Sequence, residues 1–144
     1  MRAALLLLVI AGSCASQLGD LPDADKTFAA GAWHQAITRY DAAARRPELT
    51  PAERVHAWTN AGLACEKIHA PEAARLRYEH AIDPEIPTAS EAALYYLAEL
   101  IRDRDSARAL NLYYRAAASA EKNLAREFPY RNATDRILQL SMSR

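Results

Sequence analysis

Three stretches of the chain repeat one spacing of small and large apolar positions: Ala36-Ile37-x-x-Tyr40-x-x-Ala43, Ala74-x-x-x-Tyr78-x-x-Ala81-Ile82 and Ala109-Leu110-x-x-Tyr113-x-x-Ala116. Each has a small residue, an aromatic four positions later and a second small residue three after that, which places all three on one face of a 3.6-residue helix. Small side chains let a neighbouring helix approach closely, and the ring fills the gap that remains. The units are offset by 38 and 35 residues, so the chain reads as an internal repeat.

A companion helix is expected before each unit. Ala57-Trp58-Thr59-Asn60-Ala61-Gly62-Leu63-Ala64 supplies the second, starting after Pro51 with Thr50 as its cap. Ala93-Leu94-Tyr95-Tyr96-Leu97-Ala98 supplies the third, with Thr88 or Ser90 as cap and Pro87 just outside. The first is stunted: Pro22 interrupts it, leaving Ala24 to Ala30, with Gly31-Ala32-Trp33 as the turn. Arg45 to Pro51 forms an enlarged turn, and Asp83-Pro84-Glu85-Ile86-Pro87 a proline-punctuated connection. The helical pattern after Ala116 runs on through Ala125 and stops at Phe128-Pro129-Tyr130. A last helix, capped by Asn132 or Thr134 and carrying Ile137, Leu138 and Leu140, brings the expected number to seven.

The segment Ala57 to Ala64 resembles the first helix of a tetratricopeptide repeat (TPR), with Trp58, Asn60, Gly62 and Ala64 at that family's spacings. The offsets lie near its period of about 34 residues. The resemblance covers residues 23 to 117. It implies an all-α fold: a right-handed superhelical stack of about three helical hairpins, closed by a C-terminal capping helix. Trp58 and Gly62 then join the Ala and Tyr positions above as packing residues, the helix-propensity cost of Gly62 being offset by close contact between paired helices.

Composition agrees. The chain is rich in alanine, with only four glycines, which favours helix over sheet. Eighteen basic and eighteen acidic residues cancel, and no run of Lys or Arg could follow a phosphate backbone, so nucleic acid is not an expected partner.

The N-terminus reads differently. Arg2 precedes the apolar run Ala3 to Ile10, followed by Gly12, Ser13, Cys14 and Ala15. That run is too short to cross a hydrocarbon core of about 30 Å, so residues 1–14 read as a cleaved export leader and 17–144 as the folded domain. Ile10-Ala11-Gly12-Ser13-Cys14 resembles the lipobox of bacterial lipoproteins, departing from it at Ala11. The resemblance implies acylation of Cys14 and, with Ala15-Ser16 following, an outer-membrane anchor on the periplasmic side. An ordinary signal-peptidase site with cleavage before Ser16 is the other reading, giving a soluble periplasmic or secreted protein. Cys65, on the apolar face of its helix, is expected to be a buried, unreactive thiol.

No residue pattern asks for an enzyme. His34, His56, His69 and His80 lack metal-ligand spacing, no glycine-rich phosphate loop exists, and Asp103-Arg104-Asp105 falls in a charged turn. Asn132-Ala133-Thr134 matches a glycosylation acceptor, which a bacterial leader makes a chance match. No catalytic residue, metal, cofactor or small-molecule substrate is expected. The TPR resemblance instead implies a groove lined by His56, Thr59, Leu63, Glu66 and Lys67, then Tyr95, Glu99 and Arg102. Leu63 and Tyr95 would form its apolar floor, unless they pack the helices. Mixed charge around that floor suits a protein segment of an envelope assembly better than an anion. The family's carboxylate clamp is not matched, since Asn60 alone is present. A self-associating structural module is the alternative function.

Overall fold

The computed structural model describes residues 20–123 and 130–142, and within them every regular element is an α-helix. Helices α1 (Leu21–Ala29) and α2 (Trp33–Ala44) form the first hairpin, α3 (Pro51–Lys67) and α4 (Pro71–Ala81) the second, and α5 (Glu91–Ile101) and α6 (Ser106–Asn123) the third. Helix α7 (Tyr130–Met142) packs on α6. Each helix packs mainly on its neighbours in sequence, and the first helices of adjoining hairpins also touch, α1 on α3 and α3 on α5. This is the contact pattern of a row of hairpins, in keeping with the expected stack. The leader with Cys14 and the break at Phe128-Pro129 lie outside the described residues.

Local chemistry explains several helix ends. Thr50 Oγ1 accepts from the Glu53 amide at 3.3 Å while the Glu53 carboxylate accepts from the Thr50 amide at 2.9 Å, a reciprocal cap on α3. Proline stands in the first turn of α1, α3 and α4, where no intrahelical donor is lost. Pro22 therefore starts α1 rather than interrupting it. Helix α1 ends with Gly31 at φ 74°, its amide bonded to Phe28 O and that of Ala32 to Thr27 O. Helix α3 ends the same way around His69 at φ 57°, with bonds to Glu66 O and Cys65 O. Two expected caps differ. Ser90 precedes α5 without capping it, because its Oγ accepts the Asp83 amide at 2.8 Å and clasps the inter-repeat turn instead. Asn132 and Thr134 both lie inside α7, which is already formed at Tyr130.

The repeated residues form the core. Ala36, Ala43, Ala74, Ala81, Ala109 and Ala116 are completely buried, and so are Tyr40, Tyr78 and Tyr113. Facing them are the small residues of the first helices: Ala24 on α1, Ala57, Ala61 and Ala64 on α3, and Ala93 and Ala98 on α5. Gly62 shows why small residues are required. A Cβ added there would lie 2.7 Å from Cδ1 and 2.9 Å from Cζ of Tyr78, and nearer still to Cε1. Trp58 is half-buried at the seam of two apolar clusters, stacked on His80 at 5.1 Å with the Arg45 guanidinium 5.7 Å from its ring. A half-buried two-pronged pair, Arg77 to Asp41 at 3.0 and 2.6 Å, ties α4 to α2. Cys65 is buried, and desolvation pushes its thiol up. Its expected burial holds.

One core residue breaks the pattern. Glu91, in the first turn of α5, is buried beside Ala93, and its Oε1 has no hydrogen-bond partner among the described residues. Burial pushes its carboxyl above the usual range.

Two outcomes follow from this packing. Gly62→Ala gains helix propensity yet drives a methyl into the Tyr78 ring, so chemical denaturation should show a net loss of about 1–3 kcal/mol. For Glu91, the native state holds its proton more tightly than the unfolded chain. Its cost is therefore absent at low pH and grows as pH rises from the ordinary carboxylate range through the raised value. Melting curves of Glu91→Gln should match the parent near pH 4 and exceed it at pH 8, because the neutral amide avoids the cost of a buried charge.

Candidate partner-binding face

The residues expected to line a groove divide into three groups. Thr59 and Tyr95 are core residues, only 7% and 8% exposed. The Thr59 hydroxyl bonds back to Val55 O at 2.8 Å, and the Tyr95 ring packs against Tyr96 and Tyr113. Tyr95 is thus helix packing and no open floor. Leu63 is half-buried against the core made by α3 to α7, and Lys67 beyond it is exposed. His56, Glu66, Glu99 and Arg102 are polar and at least partly open.

What unites the polar group is the tyrosine of each repeat. Each ring is fully buried, so its hydroxyl needs an acceptor at the edge of the core. In every hairpin a carboxylate on the first helix provides it. Tyr40 Oη donates to Asp25 Oδ1 at 2.6 Å, Tyr78 Oη to Glu66 Oε1, and Tyr113 Oη to Glu99 Oε1 at 2.6 Å. Burial first, and then these bonds, push all three hydroxyls far above the ordinary tyrosine range. They stay protonated donors at any physiological pH.

The next helix along the row, α3 or α7, then adds a basic side chain in two of the three rungs. His56 of α3 places Nε2 at 2.9 Å from Asp25 Oδ1, with Asn60 Nδ2 at 3.0 Å from the same nitrogen. Arg136 of α7 grips Glu99 with Nε at 2.8 Å and Nη2 at 3.3 Å. Arg102 adds a third guanidinium bond at 3.3 Å to Glu99 and reaches Asp103 at 3.5 Å. Burial disfavours the Glu99 charge, but the bonds from Tyr113 and Arg136 and the nearby guanidiniums outweigh it and hold the carboxyl below its usual range. So His56 and Glu99 are each engaged by a partner on a neighbouring helix, Asp25 of α1 and Arg136 of α7, whereas Arg102 bonds Glu99 and Asp103 at its own end of α5. Asp25 and Arg136 belong to the same ladder and were not anticipated. The available signal was an acidic residue 12 to 15 positions before each repeat tyrosine.

Elsewhere, a cavity of about 280 Å³ opens where α4 begins, against the α5–α6 turn. Its arginines are spoken for: Arg75 pairs with Glu72 and Glu79, Arg104 with Glu72, and Arg108 with Glu79. The network straps the second hairpin to the third. No group of His, Cys, Asp and Glu suited to a metal ion occurs among the described residues, and none of their helices is long and apolar enough to cross a membrane.

Because Arg136 is forked on a half-buried carboxylate and His56 meets its carboxylate through a single nitrogen at an exposed edge, the two links should differ in strength. Arg136→Gln is expected to cost about 1–2 kcal/mol and to raise amide exchange in α7 selectively, whereas His56→Gln should cost under about 1 kcal/mol. Equal losses would contradict this ranking. In comparisons with known proteins the chain matches no family model, no curated protein and no solved structure.

Proposed function

We propose that the protein is a TPR-type adaptor without catalytic activity of its own, exported to the cell envelope, where it holds a segment of a partner protein along the first helices of its hairpins. The observation that carries this reading is the row of partly open residues on one helix, His56, Leu63, Glu66 and Lys67, on a repeat whose core positions are otherwise filled by Ala and Tyr. A half-buried leucine flanked by exposed charges suits a peptide segment. The leader supports export, and acylation of Cys14 would anchor the domain at the periplasmic face of the outer membrane. Several acyl chains give stable attachment where one does not. The TPR resemblance suggests a setting such as secretion, pilus biogenesis, motility, or outer-membrane or wall assembly, without choosing among them.

A second reading, self-association, is favoured by one feature: Leu138 and Met142 stand one turn apart on α7, 56% and 84% exposed.

Labelling cells with a fatty-acid analogue should mark the parent protein and not Cys14→Ala. Co-purification from solubilised membranes should recover a stoichiometric partner, lost with Leu63→Glu combined with Lys67→Glu while helicity is retained. Tyr95 is left intact because it belongs to the core. Persistence of the partner on that double variant would refute the groove, and a concentration-dependent dimer abolished by Met142→Glu would favour self-association.

A further inference from the structure

The three rungs of the ladder are built alike, but they are not filled alike. Asp25 has its tyrosine and an imidazole, and Glu99 has its tyrosine and a forked guanidinium. Glu66, between them on α3, has the Tyr78 hydroxyl, and among the described residues no basic side chain pairs with it. Lys67, next in sequence, is exposed, and no ion pair joins the two among the described residues. The Glu66 carboxylate is exposed, on the helix that carries Leu63. Beside it lies an aromatic face: Tyr96 stacks on Tyr78 with centroids 5.8 Å apart at 25°, close enough for the Glu66 charge to add to the effect of burial in raising the Tyr96 hydroxyl.

A carboxylate next to an aromatic face is the pairing that guanidinium recognises, through two parallel hydrogen bonds and stacking of its plane. The Arg136–Glu99 fork shows that the same rung, one hairpin on, accommodates that group. We propose that Glu66 is the specificity-determining contact of the groove and takes an arginine side chain of the bound protein segment. The inference rests on the adaptor reading above, and commits it to a partner with an arginine near an apolar residue that meets Leu63.

The test is selection of a phage-displayed library of random 12-residue peptides on the purified protein, followed by titration of individual peptides. Selected peptides should share an arginine, and Glu66→Gln should weaken their binding about tenfold, as loss of a charge-assisted bond does. The Gln amide oxygen can still accept from Tyr78, so the melting temperature should hold. Replacing the peptide's arginine by glutamine should weaken binding to the parent protein equally, and should cost nothing further on Glu66→Gln. This peptide-side change keeps the test decisive if the protein variant is unstable. Binders without a common arginine, or with additive losses, would overturn the arginine site and leave the groove standing. Absence of any binder would overturn both.

Discussion

A tyrosine ring buried between two helices carries a hydroxyl that cannot be left without a partner, and this one requirement organises the molecule. The ring supplies the apolar bulk that alanine-lined helices lack, so each hairpin closes around Tyr40, Tyr78 or Tyr113. The hydroxyl then reaches the rim of the core and must meet an acceptor there, since an unmet buried polar group costs about 1–3 kcal/mol. Asp25, Glu66 and Glu99 meet it from the first helices. In two of the three rungs the carboxylate also meets a basic side chain from the next helix along the row, so packing within a repeat and linkage to the following helix are consecutive steps of one solution. The candidate binding face consists of what those steps leave open.

The same logic locates the weakest seam. Packing between α4 and α5 is thinner than between other sequence neighbours, across a connection that contains Pro84 and Pro87. Glu91 is buried at that seam without a full set of partners. Surface pairs, Arg104 with Glu72 and Arg108 with Glu79, span it instead. In an array whose stability is a sum of units and interfaces, such a seam is where two halves move against each other most easily.

The helices and the hairpin order were readable from the chain because they follow from sterics: alanine and tyrosine at fixed spacing can bury only one face. The Thr50 cap and the close approach at Gly62 were readable for the same local reason. The face was harder. Tyr95 and Leu63 are both large and apolar, and spacing alone cannot say which turns toward a partner; Tyr95 packs on Tyr113, a contact made 18 residues away. Thr59 looked polar but satisfies its hydroxyl on its own helix. The rungs themselves depend on where a side chain ends in space. Arg136 meets Glu99 across 37 residues, and nothing local to either residue announces the pair. Ser90 and Pro22 misled because one residue type serves both a cap and a turn, or both a break and a start.

The central claim is that each repeat tyrosine is coupled to its carboxylate as part of the fold's structure. A double-mutant cycle on Tyr113→Phe and Glu99→Ala, which removes the acceptor altogether, measured by chemical denaturation, addresses it most directly. The account predicts a coupling of about 1–2 kcal/mol, as for a hydrogen bond to a charged group. Losses that simply add, with coupling below about 0.3 kcal/mol, would contradict it.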